Sequence, residues 1–175
     1  MKNESTAFTE TDLQGFLDEM IDHDRQALAD RLQRASDRLA EYAPLMTAGH
    51  GEGEGGAGWS AHEVLAHIVV LSKFYGVIFH KVSSGKMTEL DLLNNVGLRD
   101  AMDEQMAQIE PGELIRMALE DHARTIKGLR ATDAASMRRV VKVDRGETMT
   151  AEEVARLPLI SHLELHIDQL MRALA

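Results

Sequence analysis

Residues 59–84 read WSAHEVLAHIVVLSKFYGVIFHKVSS, and this stretch decides the fold. Ser60, followed three residues later by Glu63, has the S-x-x-E form of a capping box, in which a hydroxyl and a carboxylate satisfy the free amides at a helix start. Behind it Val64, Leu65, Ile68, Val69, Leu71, Phe74, Tyr75, Ile78 and Phe79 leave little of the helix circumference polar. Such a helix needs partners on several sides, so the pattern predicts a buried central helix ending near Ser83, Ser84 and Gly85.

Toward the N-terminus, Thr11 to Glu41 carries Leu13, Phe16, Leu17, Met20, Ile21, Leu28, Leu32 and Leu39 at helical spacing among charges, a long amphipathic helix expected to end near Pro44. Thr47 to Gly58 holds six glycines in twelve residues and reads as a surface loop around His50. Residues 86–110 form a long connection with one or two short helices, at Asp91–Asn95 and Leu98–Gln108. Pro111, suited to a first helical position, opens a third long helix to about Leu129, with Leu114, Ile115, Met117, Ala118, Leu119, His122 and Ile126 facing inward. Val140-Val141-Lys142-Val143 before Asp144-Arg145-Gly146 predicts a small hairpin. Thr150 and Glu153 make a second capping box for a last helix that should kink at Pro158 and run to Leu174. Four long helices and 4% aromatic residues predict an all-α four-helix bundle, one domain over residues 1–175.

Composition narrows the function. Nineteen basic against 29 acidic residues give a net charge of −10, which opposes a grip on nucleic-acid phosphates. No cysteine is present, so disulfides, thiolate zinc sites, iron–sulfur clusters and a cysteine nucleophile are excluded; any thiol chemistry must use a sulfur brought by a substrate. Met1 to Asp12 is polar, without the apolar core of a signal peptide, which leads us to expect a cytoplasmic protein with no membrane partner.

The densest chemical signal lies on the last helix, where His162 and His166 are four residues apart and project from one face. Eight histidines placed at random give about 0.4 such pairs, so a third ligand is required before the pair means a metal. Two readings stand: imidazoles packed beside an apolar stripe, or ligands whose sharing of an ion offsets the cost of burying them. His67, flanked by core residues, is the best third candidate. His62 is not, because five residues separate it from His67 and rotate it about 140° away; this also rejects a zincin motif. Glu63 lies one turn before His67 and has two possible duties, the capping box or a proton acceptor beside the imidazole.

The W-x-x-x-E-x-L-x-H run from Trp59 to His67, with His162-x-x-x-His166-x-x-Gln169-Leu170 about 95 residues later, resembles the DinB/YfiT-like superfamily of metalloenzymes. The resemblance spans nearly the whole chain. It implies a four-helix bundle in which His67, His162 and His166 hold one divalent metal with an open position, Zn²⁺ first and Ni²⁺, Fe²⁺ or Mn²⁺ as alternatives. It implies further that a low-molecular-weight thiol such as mycothiol or bacillithiol serves as cosubstrate. Asp168 departs from the pattern, standing where many members carry Arg or Gly. Three neutral imidazoles would leave the ion its full charge, enough to turn a bound thiol into a thiolate.

The leading expectation is therefore a metal-dependent enzyme that activates a small thiol for S-transfer, conjugate addition or isomerisation of a small-molecule substrate. The alternatives are a hydrolase whose open position holds water, with Glu63 as base, and a non-catalytic metal-binding bundle. A homodimer joined through an apolar surface such as helix 60–84 is expected in each case. The geometric requirement is that ligating nitrogens of His67, His162 and His166 approach to roughly 3 to 3.5 Å, a gap beyond about 6 Å being too wide for a shared ion. His23, His50, His62, His80 and His122 should lie outside the cluster.

Overall fold

A computed structural model describes residues 10–47, 54–55, 59–92 and 95–174. The long helices are α1 (Glu10–Thr47), α2 (Ala61–Ser83), α4 (Pro111–Ala131) and α7 (His162–Leu174). Between them lie a two-residue hairpin β1 (Glu54–Gly55) and β2 (Trp59–Ser60), a shorter helix α3 (Val96–Met106), and the single helical turns α5 (Ala134–Met137) and α6 (Ala151–Val154). The second hairpin pairs β3 (Val140–Lys142) with β4 (Thr148–Thr150), antiparallel, Val141 opposite Met149. The molecule is an all-α bundle, and α2 is its centre, packed on α4, α7 and α3. Leu65, Ile68, Leu71, Phe79 and Val82 of α2 are almost wholly excluded from solvent, each burial contributing about 1.5–3 kcal/mol. α2 is long and apolar enough by length and composition to cross a membrane, and most of its surface is covered by the bundle instead.

Ion pairs set the direction of α1 against α7. Arg31 forks onto Glu164 at 3.2 and 2.5 Å, and Arg38 reaches Asp168 at 2.5 Å, so the two helices run parallel. Asp168 is thereby turned toward α1.

Four features differ from expectation. α1 continues through Pro44 to Thr47, because a proline in the last turn removes one amide bond while Met46 beyond it is buried in the core. The first half of its apolar stripe, Leu13, Phe16, Leu17 and Met20, is exposed rather than packed. At 38 residues α1 is about 57 Å long, far longer than the 21-residue α4 beside it, and its first turns outrun the bundle. Of the two short helices expected in the connection, only α3 forms among the described residues, with residues 93–94 of the other lying outside them. Instead of a simple kink at Pro158, Ala155–Ser161 is a π-helical stretch, whose wider turns accommodate the missing proline amide. The glycine-rich loop lies mostly outside the described residues, His50 included.

Candidate metal centre

The site is assembled from the start of α2, the start of α7 and one face of α3. The capping box of α2 closes as expected: Glu63 N–H donates to Ser60 Oγ at 3.2 Å and Ser60 N–H donates to Glu63 Oε2 at 2.7 Å. This anchors the helix so that His67, one turn on, faces α7. Trp59 pairs with Gly55 in the first hairpin, and its indole packs edge-on to His67, ring centroids 4.9 Å apart, and parallel to His166 at 6.1 Å.

The three imidazoles form a triangle with ring centroids 4.6 Å apart for His67 and His166, 4.7 Å for His162 and His166, and 5.8 Å for His67 and His162. One nitrogen of each lies within 4.8 Å of the other two. A tetrahedral ion with bonds of about 2.1 Å would set those nitrogens about 3.4 Å apart, so every gap is well inside the 6 Å limit and none exceeds that spacing by more than about 1.4 Å. Small side-chain rotations would close the difference.

Partners fix which nitrogens face inward. His67 Nδ1 donates to Asp103 Oδ2 at 2.8 Å, since a carboxylate can only accept, and Nε2 is left as a lone pair. His166 Nδ1 donates to the Gln169 amide oxygen at 2.9 Å, with the same result. His162 is hydrogen-bonded to the Pro158 carbonyl. Burial, then the neighbouring His166, His67 and Arg99, push the His162 pKa down to about 4. Burial and then His67 also lower His166, against an opposing effect of Gln169. These two rings are therefore neutral at pH 7, the state in which imidazole ligates.

The other candidates go elsewhere. Glu63 is exposed, and its bond from the Ser60 amide lowers its pKa, which makes it a weaker base. His62 Nε2 donates to the Ile109 carbonyl at 2.8 Å, pinning the chain before α4 to α2. His122 is buried in the core, where Nε2 donates to Ser72 Oγ at 2.8 Å while that hydroxyl donates to the Ile68 carbonyl. With its proton so engaged, Ser72 is no nucleophile. His23 lies near Asp24, and His80 is exposed on α2.

Asp103, Arg99 and Tyr75 escaped the sequence reading. Asp103 holds His67 and keeps its second oxygen, Oδ1, buried without a partner. Arg99, one turn earlier on α3, donates to the Tyr75 hydroxyl at 2.7 Å. Their four-residue spacing puts Arg99 and Asp103 on one face of a helix, and only the fold shows that this face turns to α2. Beside His67 opens a cleft of about 250 Å³ lined by Trp59, Glu63, Asp100, Asp103 and Glu104. The donor set suits a divalent ion of borderline softness: three imidazoles, two oriented by partners on their far nitrogens.

No family model matches the chain, and no curated protein matches it in sequence. Among solved structures it is similar to the mycothiol-dependent maleylpyruvate isomerase, with a TM-score of 0.63 and 20% identity over 82% of this chain. A histidine-to-alanine variant of that enzyme aligns over the same 82%, with a TM-score of 0.64 and 19% identity. The chain spans 60% of the length of the isomerase chain. What it has in common with these structures is the fold, an all-α bundle of the DinB/YfiT-like type.

Proposed function

We propose that the protein is a metal-dependent enzyme that activates a low-molecular-weight thiol for S-transfer, conjugate addition or isomerisation of a small molecule. One observation carries this reading: three histidine nitrogens converge on one point at the edge of a cleft, in a chain that has no thiol of its own to compete there. His67, His162 and His166 would hold the ion, Zn²⁺ in the first instance. When bound it would supply Lewis acidity, lowering the pKa of a thiol so that the thiolate forms at neutral pH. Asp103 and Gln169 keep two imidazoles in the ligating tautomer, and Trp59 covers the triangle. The thiol, of the mycothiol or bacillithiol kind, is part of the proposal, as are a cytoplasmic setting and a homodimer. The apolar stripe of α1 is the surface for the dimer, since α2 is largely buried in its own bundle.

Hydrolysis is the second reading. It is favoured by the free Oδ1 of Asp103, a carboxylate oxygen beside His67 that could take a proton from water. The test is metal content after purification without added metal, then conversion of an electrophile with and without mycothiol or bacillithiol. About one ion per chain, lost in His67→Ala and His162→Ala, with thiol-dependent conversion, is the expected result. Equal conversion without thiol moves the assignment to hydrolysis, a bound ion without turnover to a non-catalytic bundle, and absence of metal removes the site.

A further inference from the structure

Arg99 is an unbalanced charge. Its Nη1 donates to the Tyr75 hydroxyl at 2.7 Å, and its guanidinium carbon lies 5.7 Å from the Phe74 ring centroid and 5.9 Å from that of Tyr75. Among the described residues no carboxylate lies within ion-pairing distance, although acidic residues outnumber basic ones in this chain and most of its other arginines are paired. Its Nε is buried with no hydrogen-bond partner. A buried guanidinium donor without an acceptor costs stability, and an arriving acceptor would complete it. The rings of Phe74 and Tyr75, with the Tyr75 hydroxyl, hold the guanidinium plane in one orientation without neutralising it.

Its place in the fold says which ligand. Asp103, one turn along α3, grips His67, so the face of α3 that carries Arg99 is the face turned to the histidine triangle. We propose that Arg99, oriented by Tyr75, is the receptor for a carboxylate on the small molecule bound at the three-histidine centre. A planar fork of donors suits a carboxylate, and the charge-assisted bonds would give the preference its strength. The inference rests on the proposed function for its setting. The carboxylate could belong to the thiol or to its reaction partner, and the test separates the two.

Zn²⁺-loaded protein is titrated calorimetrically with 3-mercaptopropionate against 2-mercaptoethanol, and with succinate against succinamide. A preference of about tenfold or more for the carboxylate in the first pair assigns the group to the thiol, and in the second pair alone to the other substrate. Arg99→Gln should abolish the preference while leaving the affinity for the neutral probe and the Zn²⁺ stoichiometry unchanged; Arg99→Lys should keep part of it. A residue that only ties α3 to α2 would shift thermal unfolding and leave selectivity alone. No preference in the wild type, or a preference that survives in Arg99→Gln, overturns the proposal. If the chain takes up no Zn²⁺, the proposed function fails, and the question passes to the metal-free protein. There, propionate should move the ¹⁵N–¹H signal of the arginine Nε–H that vanishes in Arg99→Gln. A signal that stays in place overturns the inference.

Discussion

Replacing Asp103 by Asn tests the site through a residue that would touch no metal. The carboxylate sits 2.8 Å from Nδ1 of His67, and its side chain is 22% exposed. Across the ring an ion on Nε2 would be roughly 6.5 Å from the nearer oxygen, where the attraction of −1 for +2 ranges from about 1 kcal/mol in water to about 5 kcal/mol at an effective dielectric of 20. Loss of an oriented partner on a ligating histidine typically weakens metal binding by about 10–100-fold, or about 1.4–2.7 kcal/mol, which falls inside that window. Asn keeps the shape and can still accept from Nδ1, so the change removes charge and leaves packing. The assay is competition for Zn²⁺ against a chromophoric chelator at pH 7.5, with thermal unfolding of the metal-free proteins as control. Wild-type affinity in Asp103→Asn, in a background where His67→Ala binds nothing, would refute the reasoning, because the carboxylate would then contribute only to docking α3.

Two further outcomes follow from groups outside the triangle. Burial lowers the His122 pKa to about 4, below the ordinary 6.5; the unfolded chain therefore takes up a proton that the folded chain refuses, and stability falls as pH drops from 6.5 toward 4, by at most about 3 kcal/mol. Urea unfolding of wild type and His122→Gln between pH 7 and 4 should show this part of the slope missing in the variant; parallel curves would contradict it. Glu63→Ala should cost about 1 kcal/mol through loss of the capping box, whereas Glu63→Gln, which can still accept from the Ser60 amide, should stay close to wild type in unfolding and metal content. Turnover abolished by Gln with the metal retained would make Glu63 a proton acceptor after all.

Much of the bundle was legible because its signals are local. Both capping boxes, at Ser60–Glu63 and Thr150–Glu153, form as written, and Val140–Lys142 pairs across a turn in which Arg145 and Gly146 take positive φ values of 63° and 80°. The exposed start of α1 was not legible, since Leu13 to Met20 have the same spacing as the buried residues after them; only the length of the neighbouring helices decides what covers them. At the candidate centre, the four-residue spacing of His162 and His166 on one helix was readable from periodicity. Asp103 was not, because the fold of residues 86–110 depends on long-range contacts, among them the bonds of Leu90 and Lys142 that tie the connection to the second hairpin.

The π-helical stretch Ala155–Ser161 acts as a phase setter. Each residue of an α-helix turns the chain by about 100°. Residues in the wider π turns rotate the chain by less than that, so tightening these seven to ordinary α-helix at unchanged length would sum the differences and swing everything downstream relative to Ala151 and Val154, which are anchored in the core. His162 and His166 would keep their spacing and lose their aim. Substitutions that let these seven residues tighten at unchanged length, at Pro158 above all, are therefore the change by which a homologous chain could keep the bundle, keep both histidines in its sequence, and still abandon the triangle.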